Sequence, residues 1–405
     1  VHGHGGDTLI ERLSHCDVDW IEQTEQLGTG HAVAQALPHV EDDALVLVLY
    51  GDVPLLTAAS LERLVAAGGE TGFAVLTVKI ADPTGYGRIV RAPSGGITRI
   101  VEHKDASETE LEITEINTGI MAIAADRLKS WIPRLGNDNA QGEYYLTDCV
   151  AMAVDEGMKV SGVMIDDPEE AMGVNDRSQL ALVERHYQKR VAESMMAAGV
   201  TLIDPARIDV RGEIECGRDV VIDVNVIFEG RVRIGNGVSI GPNNVVTDCE
   251  IGDRVEILPN CVLESARIGA GSRIGPFSRV RPESRLADGV HIGNFVEIKK
   301  AEIASGSKIN HLSYVGDAEV GERVNIGAGT ITCNYDGAFK HKTVLGDDVF
   351  VGSDTQLVAP VTVGRGVTIG AGTTVTEDVE DDRLVISRVR QKAIAGWKRP
   401  QKPKK

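Results

Sequence analysis

The chain is 405 residues long, 42% hydrophobic and 25% charged, with a formal charge of −18. That length accommodates two or more domains, each with its own core, and the acidic balance argues against a general nucleic-acid binder. No apolar run approaches the ~18 residues of a membrane span, and the opening VHGHGGD lacks the charged-then-apolar pattern of a secretory leader.

Chain order gives three zones. Residues 1–175 alternate strand-like and helical runs: ALVLVLYGD (44–52), a helix over SLERLVAAGG (60–69), FAVLTVKI (73–80) and INTGIMAIA (116–124). This alternation predicts an α/β domain with a largely parallel sheet. Residues 176–200 read as a linker helix, with Asp176 as its cap and an apolar stripe of Leu180, Val183, Tyr187, Val191 and Met195.

From 201 to 380 an aliphatic residue returns every six positions. Val210, Cys216, Ile222, Phe228, Ile234, Ile240 and Val246 form one block, Ile268 to Ile298 a second, and Leu345 to Val375 a third. Six-residue self-similarity predicts a parallel β-helix whose periodic residue points inward. The glycine that often follows, as at Gly235 and Gly352, is expected to permit a sharp turn. The chain has 4% aromatics against 45 glycines, which suits a fold of many small turns. Residues 381–405 form a basic tail. Six scattered cysteines (Cys16, Cys149, Cys216, Cys249, Cys261 and Cys333) form no C-x-x-C pair. Neither a zinc ribbon nor a redox motif is written, and a reducing cytoplasm is expected.

The six-residue beat breaks once. Between Ile326 and Leu345 the sequence NIGAGTITCNYDG opens a polar stretch that also holds Lys340, His341 and Lys342. Such a departure reads either as a tolerated surface insertion or as a loop reaching over a site. Arg281, Lys299, Lys300, His311, Tyr314 and Asn325 gather just before it, outside the inward register. Arg and Lys together suit a phosphate, and His311 is the plausible general base among them. A metal site of His291, His311 and His341 is the rival, but His291 is out of step with the other two. The non-enzyme alternative is a structural rod.

Eleven motifs carry a resemblance: QLGTGHA (26–32), YGDVPL (50–55), DPTGYGRI (82–89), VEHKDA (101–106), EINTG (115–119), QGEYYLTD (141–148), GVNDR (173–177), RVRP (279–282), GNFVEIKKA (293–301), NHLSYVGDAEVG (310–321) and NIGAGTITCNYDG (325–337). In this order they resemble the bacterial bifunctional N-acetylglucosamine-1-phosphate uridyltransferase / glucosamine-1-phosphate N-acetyltransferases. The resemblance implies a Rossmann-like nucleotidyltransferase domain followed by a left-handed β-helix that packs as a homotrimer. It implies acetyl transfer from acetyl-CoA to glucosamine-1-phosphate, then uridyl transfer from UTP, on the route to cell-envelope polymers. By position, His311 matches the base. Arg281, Lys299, Tyr314 and Asn325 match amino-sugar contacts, and Ala328, Asn334, Tyr335, Ser353, Ala371 and Arg388 match acetyl-CoA contacts, with Asn334 and Tyr335 at the working tip of the insert. Gln23, Gly28, Thr29, Tyr50, Gly51, Gly87, Glu102 and Asn117 match nucleotide-sugar contacts, although LGTGHA also reads as a Thr-capped helix start. Asp52 and Asn175 match ligands of Mg²⁺, which favours oxygen donors shared with substrate phosphates. The family's opening Gly-rich basic loop has no counterpart here. The first domain is therefore expected to be truncated at its N-terminus and impaired in uridyl transfer, leaving acetyl transfer intact.

Overall fold

The apolar run FAVLTV predicts a strand covered on both faces, and in the computed structural model, which describes residues 1–399, Phe73–Val78 is buried throughout. This strand, β2 (Phe73–Lys79), belongs to a six-stranded sheet with β1 (Leu45–Val48), β3 (Arg88–Arg91), β4 (Ile97–Val101), β5 (Glu115–Ala124) and β6 (Ser161–Met164). The order is β4-β3-β5-β2-β6, with β1 also on β5. Alternate residues of β2 feed two cores. Phe73 and Val75 pack with Leu128, Trp131, Leu146 and Cys149, whereas Ala74, Leu76 and Val78 pack with Leu64, Ile165 and Ala171.

The sheet is mixed rather than largely parallel. Only β2–β6 is parallel, and β5 runs antiparallel to β1, β2 and β3. Apolar runs report burial on two faces but not strand direction. Here the chain returns to β5 after a β3–β4 hairpin, a connection that permits antiparallel neighbours, where parallel ones need a crossover. The helix expected over 60–69 spans Ala58–Thr71, capped by the Thr57 hydroxyl, which accepts from Ser60 N at 3.2 Å, and closed by left-handed Gly72. Gly68 does not end it. It faces Ala122 so closely that a Cβ would lie 2.8 Å from that residue's own.

The chain forms two compact units, Val1–His186 and Tyr187–Lys405. Helix Arg177–Ala197 spans this division and is capped as expected: Asp176 Oδ1 accepts from the backbone of Ser178 and Gln179, each at 2.8 Å. Its stripe is only partly buried. Val183 and Met195 are covered and Val191 is half-buried, while Leu180 and Tyr187 are exposed. Buried Gln188, which a periodicity of apolar residues cannot flag, pairs both ways with the Val210 backbone at 2.8 and 2.9 Å.

The second unit is a parallel β-solenoid, its strands forming 15- and 11-stranded sheets. The periodic aliphatics point inward as expected, with Ile222, Ile274, Ile298, Val351 and Ile369 fully buried. Cys216 alone among the named hexad residues is only half-buried. A second inward position, two residues earlier, is filled by small side chains such as Val220, Val238, Ser278, Ser307 and Thr355. The buried hydroxyls bond to backbone, as Ser278 Oγ does to Gly293 O at 2.5 Å and Thr355 Oγ1 to Gly352 O at 2.7 Å. Burial pushes the Cys216 and Cys249 thiols up to about 11, which marks them as packing groups. Gly275, after Ile274, does turn as expected, at φ 99°, but most glycines after the hexad residue have a different reason. At Gly235 a Cβ would lie 2.8 Å from the next coil's backbone and at Gly352 it would collide with Ala371 N, so glycine sets the coil spacing. The positive-φ corners are occupied by residues such as Asn225, Asn243 and Asp248 and by other glycines such as Gly237 and Gly271. Among the described residues, no helix is long and apolar enough to cross a membrane.

Candidate functional site

The beat that breaks in the sequence also breaks in space. Coil-to-coil hydrogen bonds join residues 17 or 18 apart, as in Asn236–Asp253 and Arg218–Asn236. Across the insert the same bonds, Glu322–Asp347 and Arg323–Asp348, join residues 25 apart. The coil resumes its register with one loop thrown outward. That loop is folded. Tyr335 and Lys340 form an antiparallel bridge, His341 N donates to Asn334 O at 2.8 Å, and Asp336 Oδ1 accepts from Ala338 and Phe339 amides at 2.8 and 2.7 Å. His341 Nε2 lies 2.7 Å from Asp336 Oδ2. These contacts, the Phe339 amide first, hold the Asp336 carboxyl well below the usual carboxylate range.

The loop is tied to the solenoid at its base. Asn334, only 7% exposed, donates through Nδ2 to Asp317 Oδ2, and Lys299 Nζ lies 3.6 Å from the same oxygen. Lys340 comes back beside Lys299, which pushes its ammonium below the ordinary lysine value. Of the two residues expected at the tip, then, Tyr335 is exposed as a tip residue should be, but Asn334 is an anchor. Lys299 stacks in register with Gly316 on the next coil. Arg281, one coil earlier on that face, pairs with Glu297 at 2.8 Å. Gly316 leaves room for the Tyr314 ring to fold across it, since a Cβ there would collide with the phenol.

His311 ends strand Lys308–His311 and is exposed. Its Nδ1 lies 2.7 Å from Asn294 Oδ1, one coil below. Asn325 opens the strand on the next coil, paired with Lys308. Ala328, Ser353 and Ala371 lie on successive coils near one corner, linked by Asp354 N to Ala328 O at 2.7 Å and Gly372 N to Ser353 O at 2.8 Å. Arg388 follows strand Leu384–Val385 and brings its guanidinium against Gly370. The basic tail continues to residue 405, and its positions 400–405 lie outside the described residues. His291, His311 and His341 do not form a ligand set: no group of three or more His, Cys, Asp or Glu among the described residues is placed to hold a metal ion.

A second cluster forms in the first unit beyond the end of β1. Asp52 O accepts from Val174 N at 2.8 Å, which lays Asp52 beside the segment carrying Asn175. Asn175 N is held by Gln179 Oε1 at 2.6 Å. Burial raises the Tyr50 phenol above its usual range, with Glu102 adding to the effect and a hydrogen bond from Thr29 opposing it. The Tyr50 ring lies where a Cβ on Gly119 would be, and Gly119 has φ 82°. Glu102 accepts from Thr147 Oγ1 at 3.0 Å, and burial raises its carboxyl. Gly87 faces this carboxyl, and Gly87 O accepts from Asn117 N at 2.8 Å.

Thr29 does not cap its helix: it is the first residue of helix Thr29–Ala36, and Gly28 occupies the cap position. The Thr29 hydroxyl instead accepts from Leu146 N at 3.2 Å, while Gly30 N donates to Tyr144 O at 2.8 Å, joining QLGTGHA to QGEYYLTD. Gln23 completes this corner, donating to Gly28 O at 3.2 Å. Gly51 adjoins Tyr50 and Asp52 in an open turn.

Sequence reasoning missed Asn294, Gly316 and Asp317 in the solenoid, and Gly119 and Thr147 in the sheet domain. All of them lie inside the motifs quoted above, and Asn294 could have been found by stepping one coil back from His311.

Comparison with known proteins agrees with this division. A MobA-like NTP transferase domain model matches residues 1–112, and a bacterial transferase hexapeptide (six repeats) model matches 248–282, 265–300 and 342–377. A protein of Methylococcus capsulatus, "Bifunctional protein GlmU", is 58% identical over 406 residues, covering 100% of this chain and 88% of its own. Proteins of the same name from Azoarcus sp. and Aromatoleum aromaticum are 58% and 57% identical, covering 99% and 100% of this chain and 89% of their own. At that identity along the whole chain, through both the sheet domain and the solenoid, this protein belongs to the bifunctional GlmU family.

Proposed function

We propose that the chain makes UDP-N-acetylglucosamine in two steps, with glucosamine-1-phosphate N-acetyltransferase chemistry in the solenoid and uridyl transfer in the sheet domain. Family membership along the whole chain supports the pair of activities. The observation that carries the acetyl-transfer reading is the insert. It folds back so that Lys340 joins Lys299 on the solenoid face that also carries Arg281, and His311 lies across the Leu312 corner from Tyr314 on that face.

In this reading the lysines and Arg281 hold the sugar phosphate. His311 Nε2 takes a proton from the amine as it attacks the thioester carbon. The N–C bond forms, the C–S bond breaks, and the proton passes from the imidazole to the departing coenzyme A thiolate. Tyr314 and Asn325 hold the sugar, while Ala328, Asn334, Tyr335, Ser353, Ala371 and Arg388 line the coenzyme's path. The solenoid assembles as a homotrimer.

For uridyl transfer, Asp52 and Asn175 would supply oxygen donors from two segments joined by the Val174 N to Asp52 O bond, a donor type that suits Mg²⁺ shared with substrate phosphates. When bound, the ion would neutralise charge on the nucleotide phosphates. Gln23, Gly28, Thr29, Tyr50 and Gly51 form the nucleotide side of the site, and Gly87, Glu102 and Asn117 the sugar side.

Single-substrate assays test both halves. His311→Ala is expected to lower acetyl transfer by roughly 10²–10⁴-fold and leave uridyl transfer unchanged. Asp52→Asn is expected to do the reverse. A His311→Ala protein with wild-type acetyl transfer would refute the assignment of the base.

A further inference from the structure

In a solenoid, residues one coil apart are neighbours in space whatever lies between them in sequence. Strands His291–Asn294 and Lys308–His311 pair in parallel, with Asn294 opposite His311. Each of these two residues is followed by a bulky apolar one in the left-handed region, Phe295 at φ 56° and Leu312 at φ 47°. Such residues rarely adopt this conformation, and here both backbones turn alike, with Leu312 N donating to Asn294 O at 3.0 Å. Ser313 Oγ donates to His311 O at 2.8 Å and fixes the backbone from which the imidazole projects. Gly293 has no room for a Cβ, which would run into the Asn310 backbone, so the two coils stay closely stacked at this corner. The result is the 2.7 Å contact between Asn294 Oδ1 and His311 Nδ1.

We propose that Asn294 is the positioning residue of the acetyl-transfer base, holding the His311 ring in its Nδ1–H tautomer. A carboxamide oxygen only accepts, so Nδ1 must carry the proton, and the neutral ring then keeps its lone pair on Nε2. Nε2 has no hydrogen-bond partner among the described residues and is free to take the proton of the attacking amine. The opposite tautomer, or a flipped ring, would present an N–H where the lone pair is required. The choice of amide over carboxylate has its own logic. An amide selects the tautomer without adding a charge that would retain the imidazolium, so the ring can pass its proton to the thiolate.

The proposal rests on the reading of His311 as the base, and the test separates the two. Steady-state acetyl transfer is measured for Asn294→Ala, Asn294→Asp and His311→Ala, and the imidazole tautomer is read from ¹⁵N shifts of histidine-labelled protein, with His311 assigned by its loss in His311→Ala. Asn294→Ala is expected to lower kcat by roughly 10–100-fold, the range found when a metal-ligating imidazole loses the partner that orients it, with KM for both substrates within about twofold of wild type. Asn294→Asp restores an acceptor at the same place and is expected to regain about tenfold. Wild-type protein should show Nε2 unprotonated, and Asn294→Ala a mixture of tautomers. A kcat for Asn294→Ala within about threefold of wild type, a loss carried wholly by KM, or an equal loss in Asn294→Asp overturns the proposal. If Asn294→Ala does not fold, the wild-type tautomer decides, and Nδ1 found unprotonated overturns it. Inactive His311→Ala beside fully active Asn294→Ala removes only the role of Asn294, whereas active His311→Ala removes the base itself.

Discussion

Glu102 shows how much of a side chain's behaviour comes from its surroundings. It is largely covered, accepts from Thr147 Oγ1 at 3.0 Å, and its carboxyl titrates above the ordinary glutamate value because burial disfavours the charge. A carboxyl whose folded value exceeds its unfolded one favours folding at pH below the unfolded value, and that contribution is lost as pH rises through the folded value. At neutral pH Glu102 therefore costs stability. Glu102→Gln is expected to raise the melting temperature at pH 7, to have little effect near pH 4, and to weaken uridyl transfer. Calorimetry across that pH range with a parallel assay checks all three. This residue was legible in VEHKDA through resemblance, but its partner Thr147 was not. The two are 45 positions apart and meet only through the tertiary fold. Gly119, at φ 82°, was hidden for a similar reason: the Tyr50 ring, far away in the chain, leaves no room for a Cβ there.

Among elements, legibility followed the range of the interaction that makes them. Strands β2 and β5 and the helix at 58–71 were readable because apolar periodicity is local. Direction was not, since pairing β5 with β1, β2 and β3 is a long-range choice, and the sheet proved mixed. The hexads were readable in full because each coil repeats one local rule, while the second inward position was masked by its small, often polar residues. The insert was visible as a break but its shape was not. Asp336 organises it, accepting two loop amides and contacting His341. Because its folded value is depressed, its contribution is present above the unfolded carboxylate range and is lost only as pH falls through the folded value. The loop should thus hold its form across neutral and mildly acidic pH. In Asp336→Ala, the Ala338 and Phe339 amides are expected to exchange at least about tenfold faster at pH 7, with solenoid core amides unchanged. Hydrogen exchange read by mass spectrometry reports this directly.

The whole solenoid behaves as a stack in which each coil depends on its neighbours. Rungs before and after the insert pair in register as though the loop were absent, Asn325 with Phe350 and Ile326 with Val351. Replacing 334–341 by a short glycine-containing turn should therefore leave the thermal unfolding of the solenoid within a few degrees of wild type while acetyl transfer falls below detection. A collapse in stability would mean that the loop is part of the scaffold.

The same regularity makes the rod a ruler. Parallel strands are spaced by about 4.8 Å, so every coil between two side chains adds that increment along the axis. His311, Ala328, Ser353, Ala371 and Arg388 fall on successive coils, so four such increments, about 19 Å, separate the imidazole from the terminal guanidinium. If the acyl donor lies along this row, as proposed, the span it must cover is an integer number of coils, and inserting or deleting one coil would change that span by a fixed step.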